Sequence, residues 1–245
     1  MTAGLDRLIA AIDGTWPALE MRDLGPVKLR RGAGGGNRVS AATVRGEVTE
    51  DDIEAAETAM EEMEQTPLFM IRPGDEALDA MLEKRGYATR DTSIIYVCPP
   101  DRLCDTPIPR VTVLHVEAPL AIMREIWARG GIGPNRLAVM ERAEGKKTYM
   151  LGRLKDKPGG VAFGAIHDGI AMIHAVEVEP PRRRMGMAGW FMRSAAFWAR
   201  DTGADTLSVI CTEANTGANA LYTSLGMEPV GQYHYRYRPT DATSQ

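Results

Sequence analysis

Residues 178–189 read Val-Glu-Pro-Pro-Arg-Arg-Arg-Met-Gly-Met-Ala-Gly, a combination suited to holding a pyrophosphate. A β-rich run ends at Val178, and Pro180 and Pro181 forbid its continuation because proline lacks the N–H that a strand ladder uses. Gly186 and Ala188 then open a helix with small side chains, which lets an anion come close to backbone N–H groups at the helix start. Arg182, Arg183 and Arg184 bring positive charge to the same spot, and the planar guanidinium suits phosphate oxygens. The same residues read equally as a solvated charge run before an ordinary helix. A Walker loop would end in Gly-Lys-Ser/Thr and a dinucleotide loop would read Gly-x-Gly-x-x-Gly; the segment has neither.

Such a turn needs a sheet and a firmly packed helix to hold it. The helix expected over 186–201 has a broad apolar stripe of Met187, Phe191, Ala195 and Trp198. Strands are expected at 111–116, 148–154, 161–166, 171–178 and 206–212, with further helices at 118–129, 135–142 and 217–225 and a β-rich end. That order is an antiparallel meander followed by strand–helix–strand crossovers, a mixed α/β (α+β) layout with a central sheet flanked by helices.

The first half ends in the same way as the second. Residues 77–87 form a short helix stopped at Gly86 and lead to the β-rich 93–97; residues 218–227 are stopped at Gly226 and lead to 233–237. Between the halves, 101–109 is rich in proline and reads as a linker, giving an expected division of 1–100, 101–109 and 110–245. The first half also has a helix announced by Thr49 as N-cap, with Asp52 three residues on. Its apolar face is Ile53, Ala56, Met60 and Met63, and its other face is acidic, with Glu54, Glu57, Glu61 and Glu62. Glu50, Asp51 and Asp52 at its start would repel a phosphate, so this half reads as structural or substrate-framing.

The whole chain narrows the function classes. Its 245 residues are 44% hydrophobic and 25% charged, which is the composition of a globular protein rather than a disordered one. A formal net charge of −4 gives no general pull toward nucleic acid or an anionic membrane. No apolar run approaches the ~18–20 residues of a membrane span. The N-terminal stretch, with its acidic residues, does not read as a signal peptide, so a cytoplasmic location is expected. Cys98, Cys104 and Cys211 fit neither a disulfide framework nor a zinc site, and no metal is expected.

The 178–189 segment resembles motif A of the GCN5-related N-acetyltransferases, Gln/Arg-x-x-Gly-x-Gly/Ala, through Arg183, Gly186 and Ala188. The family's preceding Val-x-Pro is matched by Val178 and Pro180. Its second signature, Asn-x-x-Ala-x-x-Leu-Tyr then Leu-Gly-Phe, is matched by Asn215, Ala218, Leu221, Tyr222, Leu225 and Gly226, with Met227 in place of the aromatic. The resemblance covers roughly residues 111–237. The first half is similar to a degenerate copy, as in tandem members; it lacks motif A, and Leu82 stands where the copy would need a tyrosine.

The resemblance implies an N-acetyltransferase that moves the acetyl group of acetyl-CoA directly to a primary amine of a small molecule or peptide. It implies that Val178, Arg183, Arg184, Met185, Gly186, Met187, Ala188, Gly189, Asn215, Ala218 and Tyr222 contact the co-substrate. The acyl thioester would lie where strands 171–178 and 206–212 splay apart, with the Val176 backbone N–H donating to its carbonyl. Tyr222 would protonate the leaving thiolate, since a phenol near pKa ~10 holds its proton at neutral pH. The family's frequent glutamate would fall at Met172, which cannot accept a proton. Strand alternation puts Met172, His174, Val176 and Val178 on one face, with Glu177 and Glu179 facing elsewhere. His174 is then either a proton acceptor, with an imidazole near pKa ~6.5, or a satisfied core residue. Trp127, the 130–134 turn and Arg136 would border the acceptor. Arg136 could instead pair with Glu141. A monomer or homodimer is expected. A non-catalytic acyl-CoA sensor is the alternative, and a nucleic-acid module using 182–184 lacks a wider basic face.

Overall fold

In chain order the described residues, 4–239 of a computed structural model, begin with α1 (Leu5–Thr15), β1 (Glu20–Leu24), β2 (Val27–Arg31), α2 (Asn37–Ser40), β3 (Thr43–Val44) and α3 (Glu50–Glu62). They continue with β4 (Leu68–Ile71), α4 (Glu76–Lys84), β5 (Ala88–Cys98), β6 (Val113–Val116), α5 (Ala121–Arg129) and α6 (Pro134–Arg142). The last elements are β7 (Lys147–Leu154), β8 (Lys157–His167), β9 (Ile170–Val178), α7 (Met187–Asp201), β10 (Thr206–Thr212), α8 (Thr216–Ser224) and β11 (Glu228–Tyr237). The extreme ends of the expected 1–100 and 110–245 segments, residues 1–3 and 240–245, lie outside the described residues. The result is the mixed α/β fold expected, a central sheet flanked by helices. Among the described residues no helix is long and apolar enough to cross a membrane.

The chain forms two compact units that do not follow the expected linear division. Among the described residues one takes 4–17, 95–211 and 215–230; the other takes 18–94, 212–214 and 231–239. Strands β5 and β11 thus contribute residues to both. Part of the expected linker is packed rather than a tether. Pro100–Leu103 forms a 3-10 turn, Leu103 is buried, and Arg193 donates to its carbonyl at 3.3 Å.

In the first unit the strands run in the order β6-β7-β8-β9-β10, antiparallel from β6 to β9 and parallel between β9 and β10. Helices α1 and α5 cover one face of β8 and β9, and α7 covers the other. Close approach of α7 depends on Gly152 in β7. A Cβ there would stand 2.4 Å from Met187 Sδ and 2.6 Å from Phe191 Cζ, so any side chain would push the start of α7 away.

In the second unit β1, β2 and β3 form an antiparallel sheet, and β4 pairs antiparallel with β11 through Leu68–Tyr237 to Ile71–His234. Val27, Leu29, Ile53, Met60, Phe69, Leu78 and Leu82 fill its core. Helix α3 starts with the expected reciprocal cap: Asp52 N donates to Thr49 Oγ1 at 3.3 Å, and Thr49 N donates to Asp52 Oδ2 at 2.9 Å. Its acidic face is not uniformly solvated. Glu57 is buried, and accepts from Arg85 at 2.8 Å, Tyr87 Oη at 2.8 Å and Arg238 at 2.6 Å.

Both C-terminal helices of the repeated pattern stop identically. In α4, Tyr87 N donates to Leu82 O and Gly86 N to Glu83 O, with Gly86 at φ +81°. In α8, Met227 N donates to Tyr222 O and Gly226 N to Thr223 O, with Gly226 at φ +72°. Helices α3 and α7 also share a stop: Gln65 N donates to Met60 O, and Ala204 N to Ala199 O. Here the left-handed residues are Glu64 and Gly203.

Burial of Glu57 acts to raise its pKa, but the hydrogen bonds from Arg85, Tyr87 and Arg238 outweigh it and hold the carboxyl below its ordinary value of 4.5. A depressed folded-state pKa stabilises the fold above the unfolded-state value, and that stabilisation is lost as pH falls through the folded-state value. Glu57→Gln should therefore lower the urea midpoint at neutral pH and flatten its fall below about pH 4.5. An acid limb of unchanged steepness would show that Glu57 does not set it.

Candidate functional site

The site is organised by an irregularity in β9. Phe163 pairs with His174 and Val161 with Glu177, so one extra residue of β9 stands opposite Ala162. Ala175 takes a left-handed conformation at φ +51° to accommodate it. Trp127 Nε1 donates to the Ala175 carbonyl at 2.8 Å, which supplies a partner for a group the sheet ladder cannot satisfy. The parallel ladder between β9 and β10 runs from Ile170–Thr206 to Ile173–Val209 and stops immediately before this bulge. Among the described residues the β9–β10 ladder does not continue to 174–178 of β9.

The extra residue corrects the expected faces. Paired residues share a face, so Glu177 lies with Val161, Phe163 and His174 on the α1 and α5 side. Val178 pairs with Gly160 on the α7 side, and Val176 falls out of the alternation within the bulge. The carboxylate of Glu177 packs against Gly130, where an added Cβ would stand 2.6 Å from Glu177 Cδ. It also pairs with Arg183 at 3.1 Å.

After β9 the chain makes a 3-10 turn at Pro180–Arg182 and enters α7 through two left-handed residues, Arg184 at φ +63° and Gly186 at φ +82°. Alternating backbone handedness turns successive N–H groups toward one concave side, a geometry suited to anions. Residues 183–186 are exposed, while Ala188 and Gly189 are half-buried. Met187 is buried against Gly152, so its side chain belongs to the core and only its backbone borders the turn. Arg183 folds back onto its own strand, its Nε donating to Val178 O at 3.0 Å.

Across the opening, Asn215 is the N-cap of α8 and its side chain accepts from Ala218 N at 3.1 Å. Tyr222 is buried, with its ring centroid 5.5 Å from that of Tyr96. Burial, with smaller contributions from Cys211 and Tyr96, pushes its phenol above the ordinary range, so the hydroxyl keeps its proton throughout the neutral range. Burial likewise raises the Cys211 thiol to about 11. Tyr96 Oη and Cys211 Sγ both donate to Asn219 Oδ1, at 3.0 and 3.1 Å.

His174 is buried, only 4% exposed, with its ring centroid 5.0 Å from that of Trp16. Its Nε2 lies 2.9 Å from Thr15 Oγ1, whose single proton goes to Ala11 O at 2.5 Å. Thr15 can then only accept, which makes Nε2 a protonated nitrogen. Trp127, expected at the acceptor, is fully buried and serves the bulge instead. Arg136 is exposed, and Glu141 pairs with Arg124 at 3.3 Å rather than with it.

Two residues of this region escaped sequence reasoning. Glu177 was misassigned because a bulge leaves no mark in one strand's own alternation. Asn219 carried a readable signal: a polar residue on α8 three positions before Tyr222 shares its face. Trp127→Phe would strip the donor from the part-buried Ala175 carbonyl and should destabilise the fold by about 1 kcal/mol. A urea midpoint equal to that of the parent protein would exclude the bond as a pin of the bulge.

Residues 120–227 match the model of the acetyltransferase (GNAT) family. The chain is 24% identical over 245 residues to the uncharacterized N-acetyltransferase YobR of Bacillus subtilis (strain 168), covering 96% of this chain and 97% of YobR. Among solved structures it is similar to a GCN5-related N-acetyltransferase from Kribbella flavida, with a TM-score of 0.71, 19% identity, and 99% and 98% of the two chains covered. It is also similar to a tandem GNAT protein from the clavulanic acid biosynthesis pathway, with a TM-score of 0.59, 12% identity, and 82% and 76% covered. At such identities the structural likeness is one of fold. The match over 120–227 makes that segment similar to the GNAT acetyltransferases, and the relative in Bacillus subtilis extends the similarity over nearly the whole chain at low identity.

Proposed function

We propose that the chain transfers the acetyl group of acetyl-CoA directly to a primary amine of a small molecule or peptide, without a metal. The observation that carries this reading is the end of the β9–β10 ladder at Ile173–Val209, next to the exposed turn that leads into α7. Bound acetyl-CoA would supply an activated acyl thioester. The N–H groups of 184–189, with Arg183 and Arg184, hold the pyrophosphate; Val178 flanks it at the strand end. The Val176 N–H donates to the acyl carbonyl from within the bulge, a type of contact typically worth on the order of 10²–10³ in rate. Tyr222 keeps its proton until the thiolate leaves and then donates it, and Asn215 and Ala218 fix the start of the helix that carries it.

The acceptor's proton goes to a group on the His174 face of β9. His174 is the candidate the sequence points to. Glu177 is on the same face, and its side chain is 18% exposed. It would be released from Arg183 when a pyrophosphate engages that guanidinium. We therefore assign the proton to Glu177, with His174 as the alternative. Arg136 and the 130–134 turn border the acceptor.

Several broader features belong to the same proposal. The first half is a degenerate copy of the second, a reading supported by the shared stops of α3 with α7 and of α4 with α8. Three free cysteines favour a reducing compartment, and we place the enzyme in the cytoplasm as a monomer or homodimer. Nucleic acid and membranes are not partners in this reading.

Calorimetric titration with acetyl-CoA tests the co-substrate: one saturable site per chain is expected, and Arg183→Glu should weaken it at least about ten-fold, or ~1.4 kcal/mol. The absence of binding at millimolar acetyl-CoA would reject the reading, and binding without turnover of any amine in a broad screen would favour an acyl-CoA sensor. Tyr222→Phe should lower kcat about 10²–10⁴-fold with little change in acetyl-CoA affinity. An equal loss of affinity would assign Tyr222 to packing. Glu177→Gln should remove the acidic limb of the pH–rate profile while His174→Ala leaves it in place; the reverse pattern returns the role to His174.

A further inference from the structure

A second cavity lies in the first unit, on the α7 side of β6. It is a solvent-open cleft of about 650 Å³, within the roughly 300–1,000 Å³ of small-molecule pockets. Pro107, Ile108, Phe197 and Trp198 supply apolar walls. Its polar part is one hydrogen-bonded chain. His115 Nε2 lies 2.8 Å from Ser194 Oγ, and His115 Nδ1 lies 3.0 Å from Thr148 Oγ1. Ser194 and Thr148 are buried, whereas His115 as a residue is exposed and lines the cavity. The ring is nevertheless enclosed enough that desolvation pushes its pKa below the ordinary value, which keeps it neutral at pH 7.

The charges at the rim are already matched. Asp105 pairs with Arg193, and Asp201 pairs with Arg200 at 3.0 Å. The cavity therefore offers a ligand apolar walls, no uncompensated charge, and the Ser194 hydroxyl, which keeps hydrogen-bonding capacity while both ring nitrogens of His115 are engaged. A serine beside a histidine also suggests nucleophilic chemistry, but the position argues against it. Ser194 sits in the middle of α7, where backbone N–H groups are spent on the helix and cannot stabilise an oxyanion.

We propose that this cavity binds an uncharged aromatic alcohol, with its ring against Phe197, Trp198 and Ile108 and its hydroxyl at the His115–Ser194 pair. The inference does not depend on the acyl-transfer reading, since it uses none of the residues around the β9–β10 opening. Cys104 lines the same cavity and gives a local reporter, because a bound molecule must slow its alkylation.

The test titrates the intact protein with 1-naphthol by calorimetry and follows Cys104 alkylation by iodoacetamide through peptide mass spectrometry. Expected are one saturable site per chain and slower modification of Cys104 as the site fills. Ile108→Trp, which fills the cavity, should weaken binding at least about ten-fold. Ser194→Ala keeps a good helix former in place and should weaken 1-naphthol about five- to ten-fold without affecting naphthalene. Lack of saturable binding up to the solubility limit overturns the proposal. So does binding that leaves the Cys104 rate unchanged and is indifferent to both substitutions, because the ligand then sits elsewhere. Equal affinity for naphthalene and 1-naphthol overturns the role given to the hydroxyl.

Discussion

The hydrogen bond from Trp127 to the Ala175 carbonyl governs most of what the first unit can do. A β-bulge leaves backbone groups outside the ladder, and a buried carbonyl without a donor costs roughly 1–3 kcal/mol. Trp127 supplies that donor from α5, so the bulge is a held feature of β9 rather than a defect. Two consequences follow from the single extra residue. Pairing with β10 ends at Ile173–Val209, and the alternation beyond it is inverted, which brings Glu177 onto the face of His174 and sends Val178 to the face of α7. A regular strand would close the opening and exchange those two side chains.

Helix α7 depends on a different constraint, the absence of side chains beneath it. Gly152 lets Met187 and Phe191 settle directly on the sheet, and Gly160, its partner on β8, extends the same floor. The start of the helix is thereby fixed against the end of β9, and the chain between them must turn sharply. Arg184 and Gly186 absorb that turn in left-handed conformations. Only the glycine does so without strain; the conformation at Arg184 is maintained by the anchored elements on either side. Position and backbone curvature of the turn are thus both outcomes of packing some distance away.

How much of this was readable from the sequence differs by kind of feature. Elements of the second half were readable because apolar periodicity, prolines and stop glycines agree locally, as at Pro180, Gly203 and Gly226. The cap of α3 was readable from Thr49 and Asp52 alone. What failed involved partners distant in sequence. Glu57 read only as one residue of an acidic face, yet Arg85, Tyr87 and Arg238 make it a buried ion-pair centre. The bulge depends on register with β8, and the packing of α1 onto β8 and β9, which encloses His174, joins residues more than 150 positions apart. The segment 30–38, Arg-Arg-Gly-Ala-Gly-Gly-Gly-Asn-Arg, drew no reading at all, although Ala33, Gly34 and Gly36 adopt positive φ there.

Helices α3 and α7 each follow a run of antiparallel strands and differ in the electrostatics of their first turns. Helix α3 opens with Glu50, Asp51 and Asp52, and Thr49 already occupies the Asp52 N–H. Its N-terminal dipole is matched from within, and an external anion would meet both spent donors and like charge. Helix α7 opens with Met187, Ala188 and Gly189, preceded by a glycine that has no side chain to cap it and by three arginines. Its N-terminal N–H groups are left to solvent or to a ligand, and the helix dipole there favours an anion over a cation. The start of α3 is matched by its own side chains, whereas the start of α7 presents open backbone donors beside positive charge.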